Sequence, residues 1–231
     1  FFVTGTDTEV GKTFVSVALL HKLNSQGKLT AGYKPIAAGC ELTEHGLRND
    51  DALALQANSS IDLSYDEVNP IALAAPIAPH IAAMQPINGV AAIPISIDTI
   101  REGVNKLLQK KPDVLLVEGA GGWRLPLGED FDGNTRYLSD VAIELNLSVI
   151  LVVGMRLGCL NHAVLTAESI RKDGLKLAGW VANHIEPDMP FLTENIESLK
   201  GLLNAPFLGS LPQVSTPADA GDFLDLSVLD L

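Results

Sequence analysis

GTDTEVGKT, residues 5–13, is the stretch that decides the fold. It ends in Gly11-Lys12-Thr13, as phosphate-binding loops do, and it opens with Gly5. Five residues separate the two glycines, where the common pattern G-x-x-x-x-G-K-[ST] has four. A buried-strand pattern, FFVTG, precedes the loop, and TFVSVALLHKLNSQG follows it with apolar residues at helical spacing. This order of strand, loop and helix indicates a phosphate-binding loop, and a chance glycine-rich turn is the weaker alternative.

The residue types of the loop explain how it would bind a phosphate. Gly5 and Gly11 can adopt backbone angles that other residues avoid, so main-chain N–H groups can turn inward. Lys12 can reach the β and γ phosphates, and the Thr13 hydroxyl can bind Mg²⁺. The positive end of the following helix adds to the attraction. We therefore predict a nucleotide site that begins at this loop.

Outward from the loop, short β-rich runs alternate with longer helical patterns. The strand patterns are TAGYKPIAA, DVLLVEG, LSVILVVG, LKLAGWVANH and APFLGSLP, and the helix patterns are RNDDALALQAN, SIDTIREGVNKLLQKK, TRYLSDVAIELN, NHAVLTAESIRKDG and DMPFLTENIESLKGLLN. The alternation predicts an α/β fold with a parallel, doubly wound sheet flanked by helices, similar to P-loop NTPases. We expect a single domain over residues 1–231.

The composition narrows the class of protein. Of the 231 residues 47% are hydrophobic, which suffices for a core, and the formal net charge of −12 argues against nucleic acid and anionic membranes as partners. We expect no membrane span, no signal peptide and a cytoplasmic location. Cys40 and Cys159 lie outside any C-x-x-C spacing, which favours free thiols over one disulfide. Because Phe1 falls inside a predicted strand, we expect a few residues to precede it.

An Ala-, Pro- and Ile-rich segment over residues 70–95 follows neither period. Its prolines exclude a spanning helix, and its apolar character argues against disorder. Two interpretations have equal weight here, a packed irregular connection and a loop that covers a substrate.

Two further side chains are expected to end strands beside the loop. DVLLVEGAGG, residues 113–122, ends a buried strand in Glu118, where a carboxylate often serves the Mg²⁺ of an ATP site. The alternative is a glutamate at a sheet edge before a flexible glycine-rich loop. Lys34 ends the strand pattern TAGYK, where it could neutralise a transferring phosphoryl group or bind an anionic substrate. Both would point into the crevice at the carboxyl ends of the strands.

Other positions leave alternatives open. Asp50 and Asp51 start a predicted helix, where they match its dipole, and Asp51 can also bind Mg²⁺. Asn183 ends a strand, and its amide can pair with a purine edge. The chain has N-H-I-E where a GTPase would have N-K-x-D, so adenine is preferred to guanine. His184 and the other histidines show no metal-ligand spacing, which favours capping, surface or core roles.

Six blocks in this order, GTDTEVGKT, AGYKPIAAG, RNDDALALQ, VEGAGGW, VILVVGMRLGCLNH and LAGWVAN, resemble the dethiobiotin synthetase family. The resemblance extends from the first residues to about residue 212 and is weakest in the tail beyond. The loop with five intervening residues is itself the family's form. The resemblance implies an ATP-dependent ligase that converts 7,8-diaminononanoate and CO₂ into dethiobiotin, ADP and phosphate. The implied intermediates are a carbamate and a carbamic-phosphoric anhydride.

The resemblance also implies roles for individual residues. Lys34 and Lys12 would be catalytic, and Thr13, Asp51 and Glu118 would surround Mg²⁺. ATP would contact Glu9, Val10, Gly11, Lys12, Thr13, Phe14, Asp51, Glu118, Gly119, Ala120, Gly121, Asn183, His184, Pro212, Gln213 and Val214. The substrate would contact Thr8, Lys34, Ala38, Gly158, Cys159, Leu160 and Asn161. The last four begin a helix that the family supplies from the partner subunit, which implies a homodimer. Ala38 departs from the family, which has a hydroxyl residue there.

Two alternatives from other classes fit the sequence less well than the synthetase. A nucleotide switch related to the partitioning ATPases would have a lysine near the first glycine of the loop, where this chain has Thr4, Thr6 and Asp7. Such proteins also frequently use basic surfaces, which the net charge disfavours. A synthetase of the amidotransferase type would need a glutaminase domain, for which 231 residues leave no room.

Overall fold

The computed structural model describes residues 1–85, 95–130, 132–229 and 231. The strands, in chain order, are β1 (Phe2–Gly5), β2 (Thr30–Tyr33), β3 (Ile36–Ala38), β4 (Glu41–Thr43), β5 (Gly46–Arg48), β6 (Ile71–Leu73), β7 (Val114–Gly122), β8 (Pro126–Glu129), β9 (Thr135–Tyr137), β10 (Val149–Gly154), β11 (Leu177–Asn183) and β12 (Phe207–Leu211). The helices are α1 (Lys12–Ser25), α2 (Asp50–Asn58), α3 (Tyr65–Val68), α4 (Pro79–Ala83), α5 (Ile97–Gln109), α6 (Leu138–Glu144), α7 (Cys159–Lys172), α8 (Leu192–Leu203) and α9 (Pro217–Ala220).

Six parallel strands form the central sheet in the order β12-β11-β10-β1-β7-β2. The prediction of a parallel α/β sheet flanked by helices is confirmed. β1 pairs with β10 on one side and with β7 on the other, and all three run in the same direction. After β1 the chain goes to the edge strand β2, returns to β7 beside β1, and then crosses to β10 on the other side of β1 before it continues outward to β11 and β12, so the strand order reverses at β1. At such a switch point the loops after neighbouring strands diverge and leave a crevice, and the loop after β1 opens into it.

The sheet is buried because its strands are continuously apolar. Val149–Gly154 is buried throughout, as a strand covered on both faces requires. Aliphatic side chains dominate the core, and Trp180 on β11 packs against Phe207 on β12 with ring centroids 4.6 Å apart. β7 continues past Glu118 to Gly122, so the prediction that Glu118 ends its strand is wrong. β7 lies between β1 and β2, so Glu118 belongs to an interior strand. The alternative of a glutamate at a sheet edge is wrong.

Local signals place the helix starts near the site. Asn49 caps α2 by accepting the main-chain N–H of Ala52, so Asp50 and Asp51 occupy the first helical turn. Ser96 caps α5 in the same way, by accepting from Thr99. Gly11, in the left-handed region at φ 81°, begins α1. These three starts are where the sequence predicts them.

Three predictions need correction in detail. TAGYKPIAA forms two strands, because Pro35 lacks an N–H and the chain leaves the main sheet there. β3 then pairs with β6 in a separate two-stranded sheet. The helix predicted over TRYLSDVAIELN begins only at Leu138, since Thr135–Tyr137 pairs with β8 as a hairpin strand. The segment 70–95 contains β6 and α4, and its residues 86–94 lie outside the described part of the chain.

Two further predictions concern the state of the cysteines and the presence of a membrane-spanning helix. Cys40 and Cys159 are free and buried, so the alternative of a disulfide between them is wrong. Among the described residues no helix combines the length and apolar character needed to cross a bilayer.

Candidate active site

The phosphate-binding loop has the geometry that its glycines permit. Gly11 has φ +81°, and a Cβ at this position would collide with the side-chain nitrogen of Asn183. Asn183 in turn donates to the Val10 carbonyl at 2.9 Å. Only glycine therefore fits between the loop and β11. The end of β11 thus supports the loop from below.

Lys34 lies at the centre of a charged cluster beside the loop. Its ammonium donates to Asp51 Oδ2 at 2.8 Å and to Glu118 Oε1 at 2.6 Å. The Thr13 hydroxyl donates to the same Glu118 oxygen at 2.7 Å. Glu118 is fully buried and Lys34 almost so. Four residues predicted from four separate motifs therefore meet at one point.

The cluster keeps Lys34 charged. Burial alone would lower the pKa of Lys34, but the carboxylates of Glu118 and Asp51 outweigh burial and raise the pKa above its ordinary value. Burial would likewise raise the pKa of Asp51, and the charge and hydrogen bond of Lys34 outweigh it and lower that pKa. A cation is therefore held at neutral pH where a transferring phosphoryl group would need one.

Lys12 is in a different state. Its ammonium donates to the main-chain oxygen of Asp7 at 3.0 Å, so it lies within the curve of the loop. Burial, followed by repulsion from the nearby Lys34 ammonium, lowers the pKa of Lys12 to about 8. A bound polyanion would remove the cost of this buried charge, so the site is poised to accept one.

A cleft of about 710 Å³ opens over these residues. The predicted site residues that line it are Thr8, Glu9, Gly11, Lys12, Thr13, Lys34, Ala38, Asp51, Ala120 and Gly121. Glu118 accepts a hydrogen bond from Lys34, which itself lines the cleft. The cleft thus brings the loop after β1, the end of β2, the start of α2 and the last residues of β7 around one space.

The cleft also has a wall that the sequence did not assign. Residues Pro76, Ile77, Ala78 and Pro79 line it from the segment between β6 and α4, and Leu125 lines it from the chain after β7. Of the two interpretations of segment 70–95, a covering loop agrees with this position. The signal was the run of prolines and apolar residues without helical or strand period, but nothing in that pattern gave its location.

Asn183 contacts the loop, and the ATP-binding residues predicted at the ends of β11 and β12 are outside the lining of this cleft. His184 follows β11, and its Nε2 lies 2.6 Å from the Ser210 hydroxyl. Burial lowers the pKa of His184, which leaves the ring neutral at pH 7. Pro212, Gln213 and Val214 follow β12, whose Leu211 carbonyl accepts the main-chain N–H of His184. Asn183 donates one amide hydrogen to the Val10 carbonyl, so this hydrogen is not available to a base.

The start of α7 lies apart from these groups. Gly158 has φ +94° and caps the helix, and Cys159 is buried directly behind it. Leu157, just before them, is 95% exposed. Among the described residues that line the cleft, none comes from Gly158–Asn161. The helix start predicted to bind the substrate carboxylate is therefore separate from the cleft lining described in this chain.

The donor set fits Mg²⁺ held together with a nucleotide. Glu118 Oε2 is buried and has no hydrogen-bond partner among the described residues, so it is a free acceptor. Thr13 donates to the other oxygen of Glu118, and Asp51 shares the Lys34 ammonium with Glu118. Mg²⁺ typically takes one or two carboxylates, phosphate oxygens and water. The described residues contain no group of three or more His, Cys, Asp and Glu that could hold a metal by itself, so the phosphates would have to supply ligands.

Comparisons with known proteins agree with this geometry. A family model described as an AAA domain matches residues 1–219. A protein of Alteromonas mediterranea named ATP-dependent dethiobiotin synthetase BioD is 53% identical over 229 residues, which cover 97% of this chain and 96% of that protein. The chain belongs to the dethiobiotin synthetase family.

Other members of the dethiobiotin synthetase family match at the same level. The proteins of the same name from Cellvibrio japonicus and from Pseudomonas aeruginosa strain UCBPP-PA14 are 51% and 49% identical and are matched over 96% and 98% of their lengths. The MinD cell division protein of Aquifex aeolicus has a similar fold, with a TM-score of 0.55 over 96% of this chain at 16% identity. The similarity to MinD shows the P-loop fold alone.

Proposed function

We propose that this protein closes a cyclic urea from 7,8-diaminononanoate and CO₂ at the expense of ATP, giving dethiobiotin, ADP and phosphate. The observation that carries the proposal is the Lys34–Asp51–Glu118–Thr13 cluster beside the phosphate-binding loop in one cleft. Membership of the dethiobiotin synthetase family supports the same reaction.

The proposed steps balance as follows. A substrate amine attacks CO₂ and loses a proton, which gives a carbamate. A carbamate oxygen attacks the γ-phosphorus of ATP, ADP leaves, and a carbamic-phosphoric anhydride forms. The second amine attacks the carbonyl carbon and loses a proton, and phosphate leaves with the carbamate oxygen. The phosphoryl transfer brings the carbamate anion against the triphosphate, which is why the site needs fixed cations.

The residues have distinct tasks in these steps. Lys34, anchored by two carboxylates, stands where it can hold the carbamate and the γ-phosphoryl group in line. Lys12 can leave the Asp7 carbonyl and bind the phosphates. Thr13, Asp51 and Glu118 would hold Mg²⁺, which supplies charge neutralisation on the phosphates when bound.

The shape of the cleft suits a long apolar diamine with a charged tail. Its lining combines the polar residues Thr8, Glu9 and Lys34 with the apolar Ala38 and the 76–79 segment. An aliphatic chain would lie against the apolar residues while the amines face Lys34. Ala38 offers no hydroxyl, so substrate contact at this position would come from the main chain.

A homodimer would complete the substrate site. A helix start offers unpaired N–H groups to an anion, and Gly158–Asn161 provides one at the end of the exposed turn that contains Leu157. We propose that the second subunit presents this start to the tail carboxylate of the substrate. A cytoplasmic location and a single domain over residues 1–231 belong to the same proposal.

The overall reaction is tested by product analysis. We expect ¹³C-labelled bicarbonate, diaminononanoate and Mg²⁺–ATP to give dethiobiotin one mass unit heavier, with ADP in equal amount. Lys34→Gln should abolish ring closure and keep ADP binding largely intact, because Lys12 and the loop remain. Near-normal turnover in Lys34→Gln would refute the role of Lys34.

Mixed dimers test the shared site. Asn161→Asp places a carboxylate at the start of α7, where it suits the helix dipole but repels the substrate tail. Mixing inactive Lys34→Gln with Asn161→Asp should restore up to about a quarter of wild-type activity, since half of the random dimers are hybrids with one intact site of two. If each subunit used its own helix start, the mixture would stay inactive.

A further inference from the structure

Arg156 makes an ion pair that the proposed chemistry does not use. It lies in the turn between β10 and α7, and its Nη2 donates to Asp7 Oδ2 at 2.6 Å. Asp7 belongs to the front of the phosphate-binding loop, 149 positions away in the sequence. Both side chains are about half-buried. The pair therefore joins the loop to the turn that opens α7.

Asp7 has a second function in the loop. Its Oδ1 accepts the main-chain N–H of Thr8 at 2.8 Å, and its main-chain oxygen accepts Lys12 Nζ at 3.0 Å. The residue that Arg156 holds is thus also the residue that fixes the resting position of the phosphate-binding lysine. A shift of Asp7 would move Lys12 and the front of the loop together.

The turn that carries Arg156 is tied down on its other side. The Arg156 carbonyl accepts the N–H of Cys159 at 3.0 Å, within the first turn of α7. Met155 donates its N–H to the Asn183 carbonyl at 2.8 Å, at the end of β11. Arg156 therefore stands on a backbone fixed by two hydrogen bonds, from which its guanidinium can hold Asp7 in place.

We propose that Arg156 is a positioning residue that sets the front of the phosphate-binding loop through Asp7 and links nucleotide affinity to the start of α7. The inference rests on the proposed function only in taking a nucleotide as the ligand of the loop. It assigns to the longer front of the loop, Thr6–Val10, an anchor outside the loop itself.

The test measures ADP affinity by calorimetry on the full chain without diaminononanoate. Arg156→Gln and Asp7→Asn should each weaken ADP binding about fivefold, the range of a well-placed, half-exposed pair. Asn at position 7 keeps the acceptor for Thr8, so only the ion pair is lost. The double variant should bind no more weakly than either single one, because both remove the same interaction.

Two further variants separate positioning from general stability. Arg156→Lys keeps the charge and should retain most of the affinity. Arg101→Gln removes an exposed ion pair on α5, with Asp98 at 2.5 Å, and should leave ADP affinity unchanged. Unchanged ADP affinity in Arg156→Gln, additive losses in the double variant, or an equal loss in Arg156→Lys would overturn the inference. Failure of ring closure in the wild type would refute the proposed function instead. It would not change the interpretation of the ADP affinities, which are measured without diaminononanoate.

Discussion

The buried pair of Lys34 and Glu118 predicts a large, coupled loss of stability when one partner is removed. Glu118 has no exposed side-chain surface and that of Lys34 is 5% exposed, so neither charge can regain water in the folded state. Lys34→Met keeps the length of the side chain but leaves two carboxylates without their cation. The expected cost is about 3–5 kcal/mol, a large part of a typical unfolding free energy of about 5–15 kcal/mol.

Glu118→Gln should cost less, about 1–3 kcal/mol, because Lys34 still pairs with the half-exposed Asp51. In the double variant Lys34→Met with Glu118→Gln the buried carboxylate is gone as well. Its loss should fall below the sum of the two single losses by about 2 kcal/mol.

The assay is urea unfolding at pH 7 with a metal chelator and no nucleotide, so that no bound cation replaces Lys34. Lys12→Met is the matched control, since Lys12 has no ion pair among the described residues and its buried charge is unfavourable. Its loss should stay below about 1 kcal/mol. Additive losses of Lys34→Met and Glu118→Gln would refute the reasoning, as would a cost for Lys34→Met no larger than that of the control.

Three other predictions concern the same cleft. Because the pKa of Lys12 is about 8, the free protein carries the ammonium below that pH. ADP affinity should be flat there and fall up to about tenfold per pH unit above it, while Lys12→Gln shows no such break; a flat profile to pH 10 would contradict this. Gly11→Ala should cost about 2–3 kcal/mol in urea unfolding, from left-handed strain and displacement of Asn183, against about 1–2 kcal/mol for Gly27→Ala, which has the same φ and open space. Equal losses in the two variants would show that Asn183 does not restrict the residue at position 11. Ala38→Ser should lower KM for diaminononanoate about two- to tenfold without changing KM for ATP, and a parallel change in both would contradict a substrate contact.

The sequence predicted the sheet well because its central strands are mostly apolar and because α5, α7 and α8 each bury one face. The corrections come from pairing partners that lie far away in the chain. TAGYKPIAA has the pattern of one strand, and only the separate pairing of Ile36–Ala38 with Ile71–Leu73 divides it. Thr135–Tyr137 has helical neighbours, and its strand state depends on a hairpin partner. Local patterns do not contain these contacts.

The site was predictable where a motif fixes the residue type and the strand that carries it. Lys34 directly follows β2 and Glu118 lies on the neighbouring β7, and the pairing of Tyr33 with Val117 brings the two residues together. The 76–79 segment was not assigned to the cleft, because its composition does not indicate which part of the fold it contacts. The link from Arg156 to Asp7 was missed for a related reason, since an arginine in a short turn has the pattern of a solvated residue.

Transfer of a carbamate oxygen to phosphate tests the central claim most directly. The proposed steps break the bond between the carbonyl carbon and one oxygen that came from CO₂, and that oxygen leaves on phosphate. The measurement supplies ¹⁸O-labelled bicarbonate in unlabelled water with diaminononanoate and Mg²⁺–ATP, quenches rapidly before the label exchanges, and determines the mass of the phosphate. We predict phosphate two mass units heavier, in step with dethiobiotin that keeps the other label in its urea carbonyl. Unlabelled phosphate formed alongside dethiobiotin, or ATP turnover with no dethiobiotin, would contradict the account.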